Sequence, residues 1–150
     1  GLGDLTVKWP NDIYWRDGKL AGILIENRLH GAFIHASIVG IGLNVNQTVF
    51  VSDAPNPVSM RQITGREYDR EALLRRLIGT MEARMNGDDD LSDEYRQVLY
   101  WRTGFHSYRD SNGCFEAELI GVATDGHLIL RDSLGHERSY AFKEVQFGSS

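Results

Sequence analysis

Two long apolar runs dominate the first third of the chain: Leu20 to Glu26, almost unbroken, and Phe33 to Leu43, rich in β-branched Ile and Val. Runs of this length and composition suit strands, because branched side chains lose little freedom on a pleated surface. Asn27-Arg28-Leu29-His30-Gly31 between them has loop composition, so an antiparallel hairpin with both faces substantially covered is predicted. Polar blocks border it. Lys8-Trp9-Pro10-Asn11-Asp12 comes before, Lys19 follows an Asp17-Gly18 turn, and Gly40-Ile41-Gly42-Leu43-Asn44-Val45-Asn46 closes the second run. Two cations, two amides, a carboxylate and bare-backbone glycines thus share one compact stretch. Such a set can hold a negatively charged, nucleotide-like ligand against a sheet.

Ahead of that block, Leu5 to Trp9 alternates as a strand until Pro10, which has no ladder donor, interrupts it. Phe50 to Gly65 contains Pro55 and Pro57 among Ser, Asn and Asp and reads as loop. Asp69 is a predicted N-cap for a helix whose inner stripe is Leu74, Leu77, Ile78, Met81 and Met85, stopped at Asn86-Gly87. Asp88-Asp89-Asp90 then opens a shorter helix over Leu91 to Trp101, with Tyr95, Val98 and Leu99 inward. From Gly104 the texture becomes short strands. Phe115, Ala117 and Leu119 alternate with acidic residues, Leu128 and Leu130 follow the Asp125-Gly126 turn, and Tyr140 and Phe142 follow Leu134-Gly135. Several short strands in so little sequence suggest a small curled barrel of SH3-like size. The predicted division is therefore 1–103 and 104–150.

Composition narrows the functional classes. Sixteen basic and 21 acidic residues leave a net charge of −5, which argues against a nucleic-acid surface or an anionic membrane surface. No stretch approaches the roughly 20 apolar residues of a bilayer span. The one cysteine, Cys114, excludes an internal disulfide, fits a reducing cytoplasm, and is expected to be a small buried hydrophobe. His30, His35, His106, His127 and His136 lack ligand spacing, so no metal site is expected. Asp88-Asp89-Asp90 lacks the pattern of a calcium loop and reads as a solvated helix start. Trp9, Trp15 and Trp101 read as core or interface anchors.

Lys19 is the leading chemical candidate. A strand-end lysine is ordinarily solvated, but Lys8, Asn11 and Asp12 keep it company across a proline-broken corner. Gly22 weakens its own strand and is best explained by close approach of a ligand or another backbone. Gly40 and Gly42 share one face and offer a flat patch, for a ligand or for tight packing. The Gly40-x-Gly42 pair is not a dinucleotide fingerprint, because no third glycine leads into a helix. Asn44 and Asn46 could read a purine edge or close a turn.

Lys8-Trp9-Pro10-Asn11-Asp12, Lys19-Leu20-Ala21-Gly22-Ile23-Leu24 and Gly40-Ile41-Gly42-Leu43-Asn44-Val45-Asn46, in that order, resemble the biotin–protein ligases, also called biotin–[acetyl-CoA-carboxylase] ligases. The resemblance runs over most of the chain. It implies an α+β fold: the second half of a class II synthetase-like catalytic domain, then an SH3-like C-terminal barrel. It implies joining biotin and ATP into biotinoyl-5′-AMP, with Mg²⁺ arriving on the ATP, and transfer of biotin to a lysine of a biotin carboxyl carrier domain. Lys19 would contact the biotin carboxyl and the α-phosphoryl group, and Asp12 would orient the acceptor lysine or a magnesium ion. Gly22, Ile23, Leu24, Gly40 and Gly42 would line the biotin pocket, Asn44 would approach adenine, and Asn11 and Lys8 would shape the phosphate side. Lys143 is a further candidate for the phosphates.

The family's glycine- and arginine-rich loop lies upstream of the first block and has no counterpart here. The chain, which opens on Gly1, is therefore expected to be a C-terminal portion that is inactive alone. Phe33 to Leu43 is either an edge pairing two subunits in a homodimer or a strand covered within a longer chain. A lipoate ligase relative, or a carrier-presenting module without catalysis, are the alternatives.

Overall fold

The computed structural model describes residues 2–31, 33–51, 56–86 and 92–148. The chain divides into two compact units: Gly1–Thr6 with Asn11–Leu91, and Val7–Pro10 with Ser92–Ser150. Pro55, Gly87, the Asp88–Asp90 run and Leu91 fall outside the described residues.

Strands β1 (Leu5–Lys8), β2 (Asp12–Trp15), β3 (Gly18–His30) and β4 (Phe33–Leu43) follow one another in sheet order. β2 and β3 are antiparallel, as are β3 and β4, whose register runs from Ala21 against Leu43 to His30 against Phe33. The hairpin is longer than its composition implied. Asn27 to His30, expected as loop, pair with β4, and Ser37 donates across the strands to the Asn27 amide oxygen at 2.7 Å. Polar side chains of this kind serve a strand with an open face.

Open it is. Beyond Ile23 the hairpin is exposed, with Leu24 at 63%, Phe33 at 80% and Ile38 at 55%, so the expected covering of both faces is not found among the described residues. The apolar pattern specifies a surface suited to burial, whereas burial itself depends on what lies against it. The second helix gives the same lesson.

A short helix missing from the sequence reading, α1 (Met60–Thr64), starts at Ser59 with a capping box: Ser59 accepts from the Gln62 amide and Gln62 reaches back to the Ser59 amide. Gly65 ends it in the left-handed conformation at φ 71°. The longer α2 (Arg70–Met85) has the predicted Asp69 cap, which accepts from the Glu71 and Ala72 amides. Its expected inner stripe is not buried, however. Leu74, Ile78 and Met85 are exposed, and only Leu73, Leu77 and Met81 are half-covered. Val39, Ile41, Leu74, Leu77 and Ile78 line an open groove of about 680 Å³ between β4 and α2.

In the second unit α3 (Ser92–Gln97) is shorter than expected. Leu99 instead bridges Val7 in parallel, and the Val7 and Tyr100 amides bond across at 2.7 and 2.8 Å. Leu99 is buried and Tyr95 partly so, while Val98, expected inward, is 41% exposed. Strands β5 (Phe105–Asp110), β6 (Gly113–Val122), β7 (Leu128–Asp132), β8 (Glu137–Tyr140) and β9 (Gln146–Phe147) form an antiparallel sheet in the order β8-β7-β6-β5-β9. Trp9, Leu99, Tyr108, Ala117, Leu119, Leu128, Leu130, Tyr140 and Val145 make the core. Gly126 and Gly135 supply the positive φ that the two predicted turns need. β8 stops at Tyr140, leaving Phe142 exposed rather than in a strand. Cys114 is exposed as well, because it takes the outward phase of β6, beside the Arg109 guanidinium at 3.3 Å. The architecture as a whole is α+β with antiparallel sheets.

Candidate active site

Asp12 pairs with Gly22 and Gly22 with Gly42, so these residues stand in one row across β2, β3 and β4 and share a face. The Lys19 ammonium reaches over this row and lies 2.7 Å from Asp12 Oδ2. A Cβ at Gly22 would meet Asp12 Oδ1 at 3.3 Å, Lys19 Cε at 3.5 Å and Nζ at 3.6 Å. The missing side chain is therefore what gives the ion pair its place. At Gly42 a Cβ would meet only the Gly22 oxygen at 3.9 Å, and at Gly40 only Leu24 at 4.0 Å. Beside the charged pair runs a strip of bare backbone, bordered by exposed Leu24, which pairs with Gly40.

Not every candidate shares that face. Ile23 pairs with Ile41, and strand alternation turns it to the side opposite Gly22 and Leu24. Asn11 serves the corner through its backbone, its carbonyl accepting from the Ile23 amide at 2.8 Å. Asn44 donates from Nδ2 to the Lys19 carbonyl at 3.3 Å, and its carbonyl accepts from Met60 at 3.0 Å. Asn46 ties distant segments together with both amide atoms, donating to the Tyr68 carbonyl at 2.8 Å and accepting from the Tyr68 amide at 2.9 Å. Lys8 is counted with the second unit, where its ammonium lies over the rings of Tyr100 and Phe147 at 5.5 and 5.1 Å. Lys143, also in that unit, lies over the Phe142 ring at 5.4 Å.

Two contributors escaped the sequence reading. Buried Tyr14, paired with Lys19 across the strands, has its hydroxyl pKa pushed up by burial and then by the Asp12 charge, so it stays neutral. The segment Asn56-Pro57-Val58 runs beside the start of β3, giving and taking backbone hydrogen bonds at Lys19. A loop-like composition carried no sign of it. For a divalent cation the row offers a single carboxylate, with Oδ1 of Asp12 facing Gly22 and Oδ2 held by Lys19. That fits an ion brought in on phosphate oxygens rather than one caged by protein.

The sequence profile of the Biotin/lipoate A/B protein ligase family matches residues 3–44, the stretch that contains this row. The Bifunctional ligase/repressor BirA of Bacillus subtilis is 28% identical over 155 residues, covering 95% of this chain and 46% of that protein. The Biotin--[acetyl-CoA-carboxylase] ligase of Paracoccus denitrificans is 32% identical over 161 residues, covering 96% of this chain and 63% of that protein. This chain is related to the biotin–protein ligases. A structure of the Aquifex aeolicus biotin protein ligase in complex with biotin and ATP shares the fold, with a TM-score of 0.72 at 20% identity, covering 97% of this chain and 62% of that one. The chain spans about half of the Bacillus protein's length and under two thirds of the Paracoccus ligase's.

Proposed function

We propose that this chain carries part of the active site of an ATP-dependent ligase that activates biotin as biotinoyl-5′-AMP and passes it to a lysine of a biotin carboxyl carrier domain. The observation that carries the reading is the Lys19 ammonium laid over the Asp12–Gly22–Gly42 row. In the first step a biotin carboxylate oxygen attacks the α-phosphorus and pyrophosphate leaves with the electron pair of the broken P–O bond. Two anions must approach, and a fixed cation between them lowers the repulsion as charge builds on the transferring group. Lys19 supplies that cation. In the second step the carrier lysine amine attacks the acyl carbonyl, AMP leaves and the amine loses a proton. Asp12, freed from Lys19 when the phosphate takes the ammonium, would either accept that proton and orient the amine or hold Mg²⁺ carried on ATP.

The strip at Gly22, Gly40 and Gly42, with Leu24, is the proposed biotin surface, and Asn44 at its end the proposed adenine contact. Ile23 would contribute through its backbone. Asn11 and Lys8 keep a proposed place on the phosphate side through the block they share. We read the first unit as the later part of a class II synthetase-like catalytic domain and the second as SH3-like. The exposed hairpin makes either a homodimer or a covering segment of a longer protein the expected occupant of that surface, and a cytoplasmic setting suits both.

The experiment is an assay of biotinoyl-5′-AMP formation from biotin, ATP and Mg²⁺. It is run with the chain alone, and with the chain mixed with the part of the Paracoccus ligase that the match leaves uncovered. Adenylate is expected only in the mixture, and Lys19→Ala should lower it at least ~100-fold, in line with removal of a preorganised electrostatic contact. Equal activity of the Lys19→Ala mixture would overturn the reading. The family profile that matches also covers lipoate. Replacing biotin by lipoate in the same assay distinguishes that reading, and failure of both acids leaves the carrier-presenting role.

A further inference from the structure

Lys19 is held by more than its ion pair. Its amide donates to the Asn56 carbonyl at 2.8 Å, and its own carbonyl accepts from the Val58 amide at 2.9 Å and from Asn44 Nδ2 at 3.3 Å. Lys19 and Pro57 form an isolated parallel bridge. Asn56 takes a left-handed backbone at φ 45°, which a residue other than glycine keeps only where its surroundings over-determine it. The approach is close because Gly18 has no side chain: a Cβ there would lie 2.9 Å from Val58 Cγ1 and 3.1 Å from Val58 Cβ. Two segments far apart in sequence thus converge on one peptide at the mouth of the strip.

A lysine stem has four rotatable bonds, and from a loosely held strand end it would spend its time in water. Fixing the backbone on both sides removes the largest source of that freedom. The remaining arc then carries the ammonium along the sheet, over Gly22, to Asp12.

We propose that Asn44 and the Asn56-Pro57-Val58 segment are positioning residues, which fix the Lys19 backbone so that its amine lies over Gly22 rather than in solvent. This rests on the reading of Lys19 as the charge-bearing group of the reaction. It also gives Asn44 a second task, joining the end of β4 to the start of β3 through its amide nitrogen while its amide oxygen remains for a ligand.

The test reads the position of the amine rather than turnover. The 150-residue chain is acetylated with N-hydroxysuccinimidyl acetate at fixed pH, and peptide mass spectrometry gives the rate at Lys19 relative to Lys143. Asn44→Ala and Gly18→Ala should each raise the Lys19 ratio about fivefold, the equilibrium change released by one ordinary hydrogen bond. Circular dichroism should stay native. Adding Val58→Gly to Gly18→Ala removes both close contacts, at Cγ1 and Cβ, and should return the ratio towards native, which a general loosening of the fold would not do. The proposal is overturned if neither single variant changes the ratio while Asp12→Asn raises it, since the ion pair alone would then hold the amine. It is equally overturned if the double variant stays as reactive as Gly18→Ala. Should Asn44→Ala lose its native spectrum, the Gly18 and Val58 variants decide. Failure of the ligase reading shows separately, as an adenylate assay indifferent to Lys19→Ala with these labelling ratios unaffected.

Discussion

The Lys19 and Asp12 side chains keep 26% and 33% of their surface exposed, so their 2.7 Å contact is a semi-solvated ion pair. Pairs of that kind contribute on the order of 0.2–1 kcal/mol, which makes it a means of placement more than of stability. Asp12→Asn should accordingly shift the urea midpoint very little, by less than about 1 kcal/mol in unfolding free energy. The glycines differ in what a methyl would meet. Gly22→Ala would press on Asp12 Oδ1 at 3.3 Å, whereas Gly42→Ala has only a carbonyl oxygen at 3.9 Å. We expect both variants to fold, and both to weaken biotinoyl-5′-AMP binding by about tenfold or more in calorimetry of the complemented enzyme, since one added methyl disturbs a fitted surface by ~1–3 kcal/mol. Gly42→Ala should leave the Lys19 acetylation ratio unchanged, and Gly22→Ala should raise it. The glycines were legible because a weakened strand asks for a reason. The Asp12 contact was legible only as proximity, since a sequence gives no side-chain reach across a bulge.

Among the elements, the hairpin tests how far pattern specifies structure. Apolar runs predicted its existence, but Asn27 to His30 joined the ladder because backbone pairing outweighs loop-like composition once a strand partner is present. Coverage was illegible, because it depends on surfaces outside the run. With Phe33, Ile34 and Ile38 all exposed on β4 at the sheet edge, the chain should self-associate with rising concentration. Sedimentation velocity should show Ile38→Lys shifting the distribution towards monomer without loss of far-ultraviolet signal. Helix α1 was legible in principle: Ser59-x-x-Gln62 is a capping box, hidden by the prolines on its left. Ser59 is fully buried and also donates to the Gln47 carbonyl at 2.5 Å, so Ser59→Ala should destabilise the first unit by about 1–2 kcal/mol in chemical unfolding.

At the scale of the molecule, Trp9 is the core anchor that its residue type predicted. It stands one residue after Lys8 in the block that suggested the ligand site, yet its indole is buried in the core of the second unit and donates to the Gly126 carbonyl at 3.0 Å. Trp9→Ala should lower the stability of that unit by about 3–5 kcal/mol, read by denaturant unfolding. The same unit has a built-in acid limit. Asp110 is held below the usual carboxylate range by the Asn112 amide and then the Tyr140 hydroxyl, and Asp132 by the amides of His136 and Leu134. Carboxyls depressed in the folded state contribute stability above their unfolded pKa, and the contribution fades as pH falls through the folded value. The melting temperature should therefore drop as pH falls below about 4, and the drop should be shallower in Asp132→Asn.

The open space above Gly42 also makes the strip a place for redesign. Among the described residues a Cβ there meets the Gly22 oxygen at 3.9 Å, an ordinary contact. An alanine at that position could be matched with an acid shortened by one carbon, giving an orthogonal enzyme–substrate couple that would label chosen targets in the presence of the natural vitamin.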